Sequence, residues 1–195
     1  MGQPSQKINM TIDEKRRKER IRTFFRWVIY FAAMFLCSVI MWTFGRRAPL
    51  LMIPFAVAVS AFEPPEYAAV FSAVCGLILD NITGCLFGFN GIILLWAGLC
   101  ISLFFTLFLR RHFLNVFMLG AVLTAVISAL HYLFYFGIWG YDTGGGIFKG
   151  WYIPIFFLTS VCIVPIYYFC KLLNMKLGKI TDIQIEERTD DIVRE

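Results

Sequence analysis

The sequence predicts an all-α fold, a polytopic transmembrane helical bundle of about six spans. Only 16% of the 195 residues are charged, whereas a soluble domain carries about a quarter. The apolar residues stand in long runs separated by short polar clusters, which is the pattern of helices of about 20 residues that cross a bilayer. We therefore expect lipid to surround most of the folded surface, and a soluble enzyme is excluded.

Three segments follow from the charge pattern: a basic N-terminal segment 1–23, a membrane domain 24–173 and a charged tail 174–195. Thr11 and Glu14 have the spacing of a capping box, so a helix is predicted to begin near Thr11 and to continue into the first span. The Lys and Arg residues between positions 15 and 22 indicate topology and attraction to anionic lipid. An acidic cytoplasmic partner is the alternative, and no nucleic acid is expected.

Six apolar runs form the predicted spans. The predicted spans are Phe24–Phe44, Ala48–Phe62, Tyr67–Leu79, Gly91–Leu109, Phe113–Phe136 and Trp151–Leu173, and a continuation of the third through Asp80 to Gly88 is the alternative. The second is short, about 22 Å of helix against a hydrocarbon core of about 30 Å. Pro49 suits its first turn, and Pro54 is expected to kink it.

The second and third spans permit two arrangements, because both are short and share the turn from Glu63 to Glu66. If both cross fully, the two glutamates lie in the cytoplasm. If they form a re-entrant hairpin, both carboxylates are buried, which costs several kcal/mol. We therefore expect full crossing, with the re-entrant hairpin as the alternative.

The distribution of cations predicts the orientation. With an even number of crossings, fourteen Lys and Arg residues lie on one side, in the N-terminal segment, the 110–112 turn and the tail from Lys171. The other side holds only Arg46, Arg47 and Lys149. The positive-inside rule then places both termini in the cytoplasm.

Residues 76–88 hold the most informative pattern. Gly76, Asp80, Gly84 and Gly88 recur at intervals of four, a spacing that on one helix forms a single stripe where another helix approaches closely. Arg46 and Arg47 lie on the same predicted side as Asp80 and are candidate charge partners for it. A glycine-rich turn after a helix-ending aspartate is the simpler interpretation.

Pro64-Pro65, followed by Gly76-Leu77, Asp80, Gly84, Gly88 and Asn90, resembles the MreD family of bacterial rod shape-determining membrane proteins. The resemblance is specific over residues 63–90. It implies a non-enzymatic component of the cell-elongation machinery, which organises peptidoglycan synthesis in the bacterial cytoplasmic membrane. It also implies a fold similar to the substrate-binding subunits of energy-coupling-factor transporters. The implied partners are an MreC-type bitopic protein, MreB, and a RodA-type glycosyltransferase with a class B penicillin-binding protein.

The remaining polar residues give no catalytic pattern. No nucleophile–base–acid set is visible, and two histidines with six scattered cysteines do not make a metal site. His131, within the fifth span, is expected to be a neutral histidine packed between helices rather than a proton relay. We therefore expect no enzyme activity, cofactor or metal.

The alternative to a scaffold is a vitamin-like small-molecule binding subunit of a membrane transporter. In that case Asp80, the external loops and the aromatic residues of 139–152 would form the pocket.

Overall fold

The computed structural model describes residues 4–45, 48–84, 86–108, 112–134, 150 and 153–177. This part of the chain consists of six helices and short turns, with no strand. The helices are α1 (Pro4–Phe44), α2 (Met52–Phe62), α3 (Pro65–Thr83), α4 (Phe89–Leu107), α5 (Phe113–Tyr132) and α6 (Ile153–Leu177). All except α2 are long and apolar enough to cross a membrane. The predicted fold class, a helical membrane bundle, is confirmed.

The first helix is continuous from Pro4 to Phe44, about 60 Å at 1.5 Å per residue. Its apolar part is Arg20–Phe44, so the basic segment is an extension of the first span, as expected. The predicted start at Thr11 is wrong, because the helix begins seven residues earlier at Pro4. Proline favours the first helical position, where its fixed φ is helical and its missing N–H would have no partner.

The chain divides into two compact units. One contains α1 up to Ala32 and α6 from Leu172, and the other is Ala33–Lys171. In the first unit, Arg26 Nη1 donates a hydrogen bond to Asn174 Oδ1 at 3.4 Å. Arg26 lies near the start of the apolar part of α1 and Asn174 near the end of α6. We infer that both ends of the membrane domain leave the bilayer on the same side.

The second helix is shorter than the sequence predicts. It has 11 residues, about 16 Å, which is half of a hydrocarbon core. Residues 48–51 form tight turns instead of helix, with the Leu51 N–H donating to the Pro49 carbonyl at 2.8 Å. A proline disfavours helical geometry in the residue before it, so the helix does not include Ala48. Pro54 then falls in the first turn, where no helical hydrogen bond is lost, so the expected kink is wrong.

Protein rather than lipid surrounds α2. All residues from Met52 to Ala61 are buried, and α2 packs against α3, α4 and α5. One cluster of buried apolar side chains joins four helices: Val57, Ala61, Ile101, Phe105, Val116 and Tyr167. The short helix is therefore the centre of the second unit.

The contacts of α2 with α6 give its direction. The Leu50 N–H donates to Thr159 Oγ1 at 3.0 Å, and the rings of Phe62 and Tyr167 lie 5.8 Å apart. Residues 50–62 therefore advance in the same direction as α6, over about 12 Å of that helix. Because the ends of the membrane domain lie on one side, the number of crossings is even. Four crossings with a re-entrant hairpin would also be even, but α3, with 19 residues, is long enough to cross by itself. We therefore infer that residues 48–62 belong to the sixth crossing, although α2 alone is too short for it.

A reporter fusion tests whether the number of crossings is even. Green fluorescent protein, which folds in the cytoplasm, is expected to fluoresce when fused to either terminus, and alkaline phosphatase, which is active only outside, is expected to be inactive at both. Phosphatase activity at one terminus alone would mean an odd number of crossings and would contradict a sixth crossing that includes residues 48–62. Activity at both termini would reverse the orientation and leave the even count intact.

Candidate functional site

One face of α3 carries a buried stripe of small residues that ends in an acid. Ala68, Ser72, Gly76 and Asp80 recur at intervals of four, and all are buried. A Cβ at Gly76 would lie 2.5 Å from the Asn90 carbonyl oxygen and 2.6 Å from the Gly91 Cα. The backbones of α3 and α4 are therefore in direct contact at this level, which only a glycine permits.

The same contact continues along the hairpin. A Cβ at Gly98 would overlap the Ser72 side chain, and the Ser72 hydroxyl also shares a hydrogen bond of 3.1 Å with the Ser60 hydroxyl of α2. Farther along, Ser102 Oγ donates to the Glu63 carbonyl at 2.7 Å. Small residues thus hold α2, α3 and α4 together over most of the length of α3.

The predicted stripe is only half right. Gly76 and Asp80 lie on one face, but α3 ends at Thr83, so Gly84 and Gly88 are not on it. Gly84 is the C-cap, with φ of 66°, and Gly88 is the N-cap of α4, with φ of 94°. These left-handed conformations end one helix and begin the next, and glycine adopts them without steric cost.

The Asp80 carboxylate caps α4. It accepts hydrogen bonds from the backbone N–H groups of Gly88 (2.8 Å), Asn90 (3.1 Å) and Gly91 (3.4 Å). The first N–H groups of a helix have no partner within it, and Gly88 has no side chain to supply one. Asp80, which is only 1% exposed, supplies that acceptor and places a negative charge at the positive end of the α4 dipole.

Asn90 extends this cap to a third helix. Its Nδ2 donates to Asp80 Oδ1 at 2.8 Å, and its Oδ1 lies 2.9 Å from His131 Nε2. An ionised carboxylate only accepts, so the amide nitrogen must face Asp80 and the amide oxygen must face the histidine. His131 Nε2 therefore carries the hydrogen, and the ring packs edge-on against Phe89.

His131 is the member of this site that the motif did not contain. It was expected to be a histidine packed between helices, and the structure gives it a specific partner in Asn90. The two residues are 41 positions apart, so no local spacing pairs them. An ionisable side chain within an apolar span was the only indication.

The other predicted residues lie elsewhere. Pro64 is the N-cap and Pro65 the first residue of α3, about 22 Å along the helix from Asp80. Glu66 is exposed, but Glu63 is only 4% exposed, so Glu63 is packed against protein while Glu66 is not. Arg46 and Arg47, the predicted charge partners of Asp80, lie outside the described residues.

Searches of known protein families, curated proteins and solved structures found no match for this chain. Within the described ranges, no group of three or more His, Cys, Asp or Glu side chains is arranged to hold a metal ion. The geometry itself must therefore indicate what the site can do. It fixes a tight turn at one end of the α3–α4 hairpin, of which residues 84 and 86–88 are described, and Phe87 on this turn is 74% exposed.

Because α3 and α4 approach closely at Gly76, a substitution there is expected to destabilise the protein more than one at Gly84. Gly76→Ala is expected to destabilise the protein by about 1–3 kcal/mol, because one methyl group separates two packed backbones. Gly84→Asn adds a larger side chain into open space, at a residue type that tolerates φ above zero, so it is expected to cost under about 1 kcal/mol. Unfolding of the detergent-solubilised variants measures both, and an equal loss would contradict the packing argument.

The histidine–asparagine bond predicts a rescue. His131→Ala leaves the buried Asn90 oxygen without its donor and is expected to cost about 1–2 kcal/mol. His131→Gln places an amide N–H at a similar reach and is expected to recover about half of that. The same unfolding measurement applies, and a glutamine variant no better than alanine would show that ring packing, not the hydrogen bond, is what matters.

Proposed function

We propose that this protein is a non-enzymatic membrane scaffold of the bacterial cell-elongation machinery, which binds an MreC-type bitopic partner and helps organise peptidoglycan synthesis. The resemblance to the MreD family rests on residues 63–90. The observation that supports the proposal is that Gly84, Gly88, Asp80 and Asn90 of this motif build one capped turn, of which residues 84 and 86–88 are described.

The geometry of this turn suits recognition of a protein. Asp80 directs its carboxylate to the chain's own backbone and is buried, so the motif's acid is committed to holding the turn. Phe87 projects from that turn and is exposed. An exposed aromatic side chain on a hydrogen-bonded turn is a typical anchor of a protein interface.

The predicted orientation places this turn outside the cytoplasm, where a bitopic partner that has crossed the membrane continues. MreB and the pair of a RodA-type glycosyltransferase and a class B penicillin-binding protein are further proposed partners through the same assembly. The cytoplasmic membrane of a bacterium is the proposed location.

The small-molecule alternative has less support among the described residues. It requires Asp80 to face a ligand, whereas three backbone N–H groups at the start of α4 and the side-chain amide of Asn90 already donate to that carboxylate. The other residues assigned to the pocket lie in 139–152, of which the structure describes only Gly150.

Co-purification tests the scaffold proposal. The tagged chain, expressed with the MreC-type protein of the same organism, is expected to retain it in detergent, and Phe87→Ala is expected to reduce the retained partner about tenfold or more. Phe108→Ala is the matched control, because Phe108 is 80% exposed at the other end of α4. Gly84→Leu and Asp80→Leu, which change the turn itself, are expected to lose the complex as well.

A complex that survives Phe87→Ala, in a variant that is inserted and as stable as the original chain, would contradict the role of the turn. No complex with the original chain would contradict the partner.

A further inference from the structure

Among the residues whose side chains are described, the first unit carries four exposed cations at one edge of the membrane domain. Three lie on α1, close to Arg20, where its apolar part begins, and one lies at the end of α6. We call them the basic collar: Arg17, Arg20, Arg22 and Lys176. The hydrogen bond between Arg26 and Asn174 joins these two helix ends. Arg22 lies one turn before Arg26 and Lys176 half a turn after Asn174, so both helices contribute cations at a similar level.

Exposed apolar side chains adjoin the collar on the membrane side. Phe24 and Phe25 follow Arg22 on α1, and Leu172 and Met175 precede Lys176 on α6; all four are more than half exposed. The surface therefore changes from cationic to apolar within about one helical turn. The order of the two surfaces matches a phospholipid, whose anionic phosphate is followed by apolar acyl chains.

We propose that the basic collar binds the headgroup of an anionic phospholipid, with the acyl chains against the apolar side chains of the same two helices. Arginine suits this role, because its planar guanidinium forms paired hydrogen bonds with phosphate oxygens. Basic sites between membrane helices recognise acidic headgroups in this way. An acidic soluble protein would use the cations but leave Phe24, Phe25, Leu172 and Met175 without a role, so the adjoining apolar surface favours lipid.

Brominated lipids test the site locally, because bromine quenches a nearby indole. Trp27 lies on α1 next to Arg26 and is half-buried. A full-length chain keeps it as the sole tryptophan when the others are replaced by phenylalanine: Trp42, Trp96, Trp139 and Trp151. In phosphatidylcholine bilayers, brominated phosphatidylglycerol is expected to quench Trp27 at a concentration about tenfold lower than brominated phosphatidylcholine.

A matched pair of variants distinguishes a site from general attraction. Arg22→Gln with Lys176→Gln is expected to remove most of the preference for phosphatidylglycerol. Arg110→Gln with Arg111→Gln removes the same charge on the same predicted side and is expected to preserve it. Free glycerol phosphate at millimolar concentration is expected not to relieve the quenching, which separates a lipid site from a site for small phosphates.

Equal quenching by both brominated lipids in the original chain would overturn the proposal, as would the same loss in both double variants. Tight binding of a poly-glutamate peptide in neutral bilayers, without a preference for phosphatidylglycerol, would overturn it in favour of an acidic protein. Both double variants are first compared with the original chain by unfolding in detergent, so that a misfolded variant is not counted.

Discussion

The carboxylate of Asp80 at the start of α4 is the interaction on which the second unit depends. A buried carboxylate in apolar surroundings costs several kcal/mol unless hydrogen bonds satisfy it. Here three backbone N–H groups and the Asn90 amide do so, and those N–H groups would otherwise lack partners of their own. One acid therefore satisfies the beginning of a helix and fixes the turn before it.

The close packing of α3 on α4 brings the Asp80 carboxylate within hydrogen-bonding distance of the start of α4. Because Gly76 and Gly98 leave no side chain between the helices, the backbone of α4 comes near enough for a short aspartate to span the distance. The hydrogen bond between Asn90 and His131 then connects this cap to α5. Residues of three helices thus hold the turn of residues 84 and 86–88 in place.

The burial of the short helix α2 has a different physical cause. A helix half as long as the membrane is thick ends inside the bilayer, where its terminal backbone groups cannot face lipid. Neighbouring helices must therefore cover both of its ends and all of its faces. Its buried apolar side chains and the Ser60–Ser72 hydrogen bond meet that condition. The unusual span length and the two prolines that made this region ambiguous in the sequence therefore mark the most protein-enclosed part of the molecule.

The sequence alone determined the helical membrane class and the approximate position of five spans, because burying an apolar run of about 20 residues in lipid depends on that run and not on its neighbours. It also singled out Gly76 and Asp80. It did not reveal that the small-residue stripe runs toward Ala68, or that Gly84 and Gly88 are caps, because a spacing of four fits a continuous helix as well as a turn. The pairing of Asn90 with His131 and the burial of α2 and Glu63 were decided only by the tertiary structure, since each depends on which distant helices come into contact.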